Sequence, residues 1–291
     1  MVLNDVFYEC KAFEMVNPNF KKQHGQHILK NLGVVDTVIE RARIKPTDTV
    51  LEIGGGTGNL TMKLLQKAKK VICYEIDPRL AAELVKKVNA MPGMAQKFQL
   101  FVGDALKHDF PHFDLCITNL PYQISSPFVF KLLRYDFKCA FVMFQREFAE
   151  RLVARPGSSA YCRLSVGVQM LAQVDHVVKV SRNSFVPPPK VESSFVRIEP
   201  KTPKPPIEFE EFDRFLKICF LRKNKTLKAN FKASNLVSMI KRHEGMENTS
   251  PDEVFENVLS KAGQRGVRAA KMDVEDFLAL MLEFRKVGIF F

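Results

Sequence analysis

No apolar run in this 291-residue chain approaches the roughly 18 residues that a membrane-crossing helix needs, so no helical membrane span is expected. The N-terminus has little of what a targeting segment requires. Asp5, Glu9 and Glu14 interrupt it, which argues against both a signal peptide and a mitochondrial transit peptide. No Cys-x-x-Cys pair occurs. Cys10, Cys73, Cys116, Cys139, Cys162 and Cys219 are scattered, several of them in apolar runs, so they read as small buried hydrophobes in a reducing compartment. Neither a zinc site nor any other metal site is expected from them. Acidic residues are the scarcer charge, 32 against 44 lysines and arginines, which leaves a net charge of +12. A small neutral metabolite does not call for such an excess, whereas a polyanion does, and nucleic acid is the commonest polyanion.

What the chain does have is a glycine turn. Thr49 to Ile53 reads as a buried strand that breaks into Gly54, Gly55, Gly56 and Gly58, then resumes at helical spacing through Leu60, Leu64 and Leu65. Strand, glycine turn and helix N-terminus together form a nucleotide-sized cradle at the carboxyl end of a parallel sheet. The pattern alone also fits a tight turn that binds nothing.

Residues 1–19 lack periodicity and are expected to be a poorly ordered lead-in. A loop through Lys21 to Asn31 enters a first helix carrying Val34, Val35, Val38 and Ile39. After the glycine turn, further strands are expected at 70–75, 98–102, 113–118, 139–144, 174–180 and 194–198. A helix capped by Asp77-Pro78, another over 125–133 and a basic one bearing Arg146, Arg151 and Arg155 lie between them. Alternation of this kind implies an α/β fold with a doubly wound, mostly parallel, seven-stranded sheet. The proline-rich stretch from Glu199 to Pro206 reads as an extended linker and a domain boundary. Residues 20–200 would then be the sheet domain and 207–291 a small all-helical one, opened by a helix through Phe212, Phe215, Leu216, Cys219 and Phe220.

Two strand tips carry chemistry. Glu75 lies about 20 residues past the glycines, where an acid is placed to accept hydrogen bonds from both hydroxyls of a ribose. The cofactor could thus be NAD, FAD or another adenosine-bearing molecule. Asn119-Leu120-Pro121-Tyr122 combines an amide, exposed carbonyls, a rigid turn and an aromatic ring. A base stacked on Tyr122, with its exocyclic amine donating to the Asn119 amide oxygen and the Leu120 carbonyl, would present a nitrogen lone pair to an electrophile. An S-adenosylmethionine methyl group suits that arrangement.

Gly25-Gln-His-Ile-Leu29, Leu51-Glu-Ile-Gly-Gly-Gly-Thr-Gly58, Glu75, Gly103-Asp-Ala105, Asn119-Leu-Pro-Tyr122 and Phe185-Val-Pro-Pro-Pro-Lys-Val-Glu-Ser193 occur in this order. The set resembles the ribosomal RNA adenine N6-dimethyltransferases over roughly residues 20–290. His27-Ile-Leu29 and Phe220-Leu-Arg-Lys-Asn-Lys-Thr-Leu227 look like the eukaryotic small-subunit branch. The resemblance implies a Rossmann-like class I methyltransferase domain using S-adenosyl-L-methionine. Gln26, His27 and Leu29 would close over the cofactor, with Gly54 and Gly56 under its methionine, Glu75 and Ile76 at its ribose, and Asp104 and Ala105 at its adenine. Asn119 to Tyr122 would take the target adenine and Phe185 would stack on its other face. Neither His24 nor His27 is assigned proton transfer. Gly55 stands where the family usually has proline, an exchange expected to loosen the cradle without removing a contacting side chain.

The implied substrate is two adjacent adenosines near the 3′ end of small-subunit rRNA within the pre-ribosomal small subunit. A monomer acting in the nucleolus is implied too, although no basic targeting run is present. Arg222, Lys223, Lys225 and Lys228 are candidates for rRNA phosphate contact, the plain alternative being a solvated charged face. Two readings of other kinds remain open, an assembly factor that binds RNA without needing catalysis, and a DNA adenine methyltransferase.

Overall fold

The computed structural model describes residues 27–243 and 249–291, so the lead-in expected over 1–19 and the candidate Gln26 lie outside the described residues. Its strands are β1 (Ile28–Leu29), β2 (Thr49–Ile53), β3 (Lys70–Glu75), β4 (Phe98–Val102), β5 (Leu115–Thr118), β6 (Cys139–Gln145), β7 (Ala172–Val180), β8 (Phe185–Val186) and β9 (Ser193–Pro200). The helices of the sheet region are α1 (Leu32–Ala42), α2 (Asn59–Lys67), α3 (Pro78–Asn89), α4 (Ser125–Leu132), α5 (Arg146–Leu152) and α6 (Arg163–Leu171). Those that follow are α7 (Phe209–Cys219), α8 (Leu227–Lys232), α9 (Leu236–Arg242), α10 (Pro251–Lys261) and α11 (Val274–Lys286). Among the described residues, no helix is long and apolar enough to cross a membrane.

Seven strands form one sheet in the order β4-β3-β2-β5-β6-β9-β7. The first five in that order run parallel, and β9 pairs antiparallel with both β6 and β7. The chain leaves β2 toward β3 and β4, then returns to add β5 and β6 on the other side. The switch point of the winding therefore falls between β2 and β5, where the helices that follow these two strands diverge and open a crevice.

Alternation along each strand assigns side chains to the two faces. Val50, Val71 and Cys73 belong to one apolar layer with α1, α2 and α3, while Leu51, Ile53, Ile72 and Tyr74 belong to the other with α4 and α5. Local chemistry sets the helix starts. Asp77 caps α3 through the Arg79 N–H at 3.0 Å, with Pro78 in the first turn, as its sequence indicates.

Three features depart from the expected outline. The basic helix ends at Leu152 and leaves Arg155 beyond it. Helix α6 has no counterpart in the sequence reading. It carries Gly167 and short polar residues, and its two sides are buried against different partners: Val168 packs toward the sheet, while Val166 and Met170 pack toward the C-terminal helices. The core of those helices also takes in Ala154 and Tyr161, whose hydroxyl donates to the Met272 carbonyl at 2.7 Å. The proline-rich linker thus marks where strands give way to helices, but the apolar packing continues across it.

Candidate active site

The glycine turn requires glycine at particular places. Gly54, Gly56 and Gly58 have φ of 79°, 54° and 84°, a region where a Cβ is strained. At Gly54 the backbone also passes close to the loop after β5, since a Cβ there would lie 3.4 Å from Pro121 Cδ. Gly55 differs. Its φ is ordinary, but a Cβ would stand 2.6 Å from Cys73 Sγ and 2.7 Å from Leu84 Cδ2. Those two side chains fill the space beside Gly55.

The turn is tied to the tip of β3. The two carboxylate oxygens of Glu75 accept from the Gly56 N–H at 2.8 Å and the Asp77 N–H at 2.9 Å. Glu75 is buried, and burial raises its pKa, which the backbone donors partly offset. The loop after β4 starts with Gly103, whose N–H reaches the Glu75 carbonyl at 2.9 Å, and continues with Asp104, whose Oδ1 accepts from Leu106 N–H at 2.9 Å.

These loops and the N-terminal strand surround a cleft of about 1220 Å³, part of it open to solvent. His27, Leu29, Gly54, Gly56, Glu75, Ile76, Asp104, Ala105 and Asn119 to Tyr122 all line it. The cleft is closed on one side by β1, which pairs antiparallel with β8 and is held to the start of α2 by the Asn59 amide donating to the Leu29 carbonyl at 2.9 Å.

The acceptor end is fixed by hydrogen bonds that leave little freedom. Asn119 Nδ2 donates to the His27 carbonyl at 3.1 Å, which turns Oδ1 into the free acceptor of that amide. The Tyr122 hydroxyl pairs with Ser193 Oγ at 2.6 Å. Its ring is half-buried beside the His27 imidazole, with centroids 5.8 Å apart and planes 28° from parallel. His27 Nδ1 is in turn 2.9 Å from the Pro187 carbonyl.

With this geometry in place, similarity to known proteins decides the family. The family model described as ribosomal RNA adenine dimethylase matches residues 17–261. The chain belongs to that family.

Among its relatives, a probable dimethyladenosine transferase of Drosophila melanogaster is 51% identical over 284 residues, covering 94% of this chain and 92% of the relative. A dimethyladenosine transferase of Schizosaccharomyces pombe is 50% identical over 284 residues with the same coverage, 94% and 92%. The crystal structure of a dimethyladenosine transferase from Plasmodium falciparum superposes with a TM-score of 0.83 at 44% identity, over 91% of this chain and all of that one. That of the 23S rRNA methyltransferase ErmE gives a TM-score of 0.66 at 27% identity, over 88% and 99% of the two chains. The protein is thus an rRNA adenine methyltransferase with the class I fold.

One expected site residue is elsewhere. Phe185 is 1% exposed and packs into the apolar layer with Leu29, Val35 and Phe195, outside the cleft. Strand β8 puts alternate residues on opposite sides, so Phe185 points inward and Val186 outward. As placed, the Phe185 ring cannot stack on a base, and the ring beside Tyr122 is that of His27.

The basic candidates are not one free face either. Arg222 donates to the Ala229 carbonyl, Lys223 to the Ser159 carbonyl at 2.6 Å, and Lys228 pairs with Glu256. Among the described residues, Lys225 is the member of the set whose side chain has no such bond.

Glu52 is a further acid at the cleft, one whose role its sequence motif does not mark. It sits on β2 opposite Cys73, lines the cleft, is 1% exposed, and its Oε2 has no hydrogen-bond partner among the described residues. Burial pushes its pKa up to about 8, and the charge of Glu75 adds to the rise. An acid within an otherwise apolar strand was the available signal.

Proposed function

We propose that this protein transfers methyl groups from S-adenosyl-L-methionine to N6 of two adjacent adenosines near the 3′ end of small-subunit rRNA. It would act as a monomer on the pre-ribosomal small subunit, in the nucleolus. The observation that carries this reading is that the glycine turn and the Asn119–Tyr122 loop meet within one cleft, Gly54 against Pro121. A cofactor seated on the first would have its reactive end beside the second.

The residues present fit that cofactor. A left-handed Gly54 and Gly56 let a ligand approach the backbone, and the Glu75 carboxylate, which accepts the Gly56 and Asp77 N–H groups, has acceptor capacity left for a ribose hydroxyl. Asp104 and Ala105 line the same cleft and would contact the adenine, and Leu29 and His27 would form the cover. Bound there, S-adenosylmethionine supplies a methyl group on a sulfonium, an electrophile that needs no further activation.

The chain's own contribution is orientation. Because the Asn119 amide nitrogen is committed to the His27 carbonyl, Oδ1 is held as an acceptor, the role an exocyclic N–H requires. The Leu120 carbonyl would take the second N–H, and Tyr122, pinned by Ser193, offers a ring face to the base. Such positioning and electrostatics replace a strong general base, because an N6 amine can release its proton after the methyl has transferred. Extruding the adenine costs a few kcal/mol, of which stacking on Tyr122 returns about 1–3 kcal/mol.

The test is transfer of labelled methyl groups to immature small ribosomal subunits, followed by nucleoside analysis. Dimethyladenosine from the wild type and none from Asn119→Ala, with subunit binding retained, is the expected result. Tight subunit binding without methylated adenosine would favour an assembly factor, and methylation of naked DNA would overturn the substrate.

A further inference from the structure

The loop after β4 has to hold Asp104 and Ala105 at the cleft, and β3 ties it at its two ends, the Gly103 N–H donating to the Glu75 carbonyl and the Tyr74 hydroxyl to the Asp109 carbonyl. A lysine from another element holds the stretch between. Lys131 Nζ donates to the Ala105 carbonyl at 3.0 Å, to the Leu106 carbonyl at 3.1 Å and to the His108 carbonyl, and it stands 4.6 Å from the centroid of the Phe110 ring. An ammonium has three donors, and all three are used on one loop. The ring face below adds a cation–π contact. Partial burial lowers the pKa of this ammonium, and the nearby Asp109 and Asp104 act in the opposite direction.

The helix that carries this lysine gives the contact its meaning. Lys131 lies in the last turn of α4, and α4 begins just after the Asn119–Tyr122 loop, where Ser125 Oγ donates to the Tyr122 carbonyl at 2.8 Å. One short helix, buried through Phe128, Val129 and Leu132, therefore anchors the acceptor loop at its start and grips the Asp104–His108 loop at its end.

We infer that Lys131 is a positioning residue for the cofactor's adenine: by tying the loop carbonyls of Ala105, Leu106 and His108 to α4, it fixes where Asp104 and Ala105 meet the base. The inference rests on the functional reading above, in which those two residues contact the adenine. The loop has a second anchor in Phe110, which packs among Tyr74, Phe113, Phe128 and Tyr135, so removing the ammonium leaves the fold in place. What it removes is the loop's fixed height above the cleft.

The experiment is calorimetric binding of S-adenosylmethionine, and of an analogue with the purine amine replaced by oxygen, to wild type, Lys131→Gln and Lys131→Met. Methionine keeps a stem over Phe110 but has no donor, and glutamine restores two. Expected is a Kd for S-adenosylmethionine at least about tenfold weaker in K131M, with K131Q between, and reduced discrimination between the two cofactors. At saturating cofactor, kcat stays near the wild-type value, because the acceptor groups are untouched. A purely structural role would lower the melting temperature without altering discrimination. If K131M does not fold, K131Q carries the test alone. Wild-type affinity and wild-type discrimination in the folded variants would overturn the inference. Wild-type protein that binds no S-adenosylmethionine would bring down the functional reading itself, and this inference with it.

Discussion

Glu75 holds Gly56. Its carboxylate, buried at the tip of β3, accepts the Gly56 N–H at 2.8 Å and so fixes the turn that follows β2. The acid is therefore both part of the cofactor cradle and the proposed partner of the ribose. Glu75→Ala removes both at once. Hydrogen bonds to a charged group are worth about 1.5–3 kcal/mol each, so S-adenosylmethionine affinity is expected to fall on the order of a hundredfold, measured by calorimetry. Undiminished affinity would take Glu75 out of the site.

Gly55 is confined by side chains, not by its own φ. Gly55→Ala pushes a methyl group into Cys73 and Leu84, at 2.6 and 2.7 Å, and overpacking of this kind costs about 1–3 kcal/mol. Combining it with Leu84→Val should recover part of the loss in urea denaturation. Additive losses in the double variant would contradict the packing account.

Glu52 makes stability depend on pH. Its pKa is raised from 4.5 to about 8 in the fold, so the folded state binds the extra proton between those values. Stability from this group is complete below about pH 4.5, declines as pH rises, and levels off above about 8. Glu52→Gln removes the titration. The variant should match the wild type at low pH and exceed it above pH 8 by a few kcal/mol, an order-of-magnitude figure. Parallel urea-denaturation profiles for the two proteins from pH 5 to 9 would show that Glu52 is not held neutral.

Phe185 and Tyr122 should separate cleanly. Phe185→Ala opens a cavity in a closed apolar layer and is expected to cost about 3–5 kcal/mol of stability. Tyr122→Ala, at the cleft, should cost less stability but reduce methyl transfer by about 10- to 100-fold through lost base stacking. The reverse pattern in paired denaturation and transfer assays would return Phe185 to the base site.

Lys225 is expected to matter more for rRNA than Lys228, whose ammonium is paired with Glu256. Lys225→Ala should weaken rRNA binding and reduce the slope of log affinity against log salt by about 0.7–0.9, one phosphate contact. An unchanged slope would make this a solvated face.

Local chemistry made much of this protein readable from its residues. β2 and β3 lie where their largely apolar, β-branched runs do, because both strands are buried within the sheet, and Asp77-Pro78 marks the start of α3 through its own hydrogen bond. The glycine turn, Glu75 and Asn119 to Tyr122 were legible as chemistry for the same reason: each requirement, a left-handed turn, a pair of acceptors or a ring, is met within a few residues. The depth of a side chain is another matter. Phe185 beside three prolines looks like an exposed aromatic, and only its pairing with Leu29 turns it inward. Helix α6, shared between two cores, has no single apolar stripe to announce it.

The sequence by itself determined the order of the sheet's strands along the chain, the class of fold and the glycine turn, Glu75 and Asn119–Tyr122 as groups with chemistry to do, since those follow from backbone preference, burial and functional-group type. Tertiary structure alone decided which groups meet. The Asn119 amide is oriented by the His27 carbonyl, 92 residues earlier in the chain, and Glu52 is buried with its Oε2 lacking a hydrogen-bond partner among the described residues. Hydrogen bonds and desolvation act over a few ångströms, and which residues come that close is set by how the sheet winds.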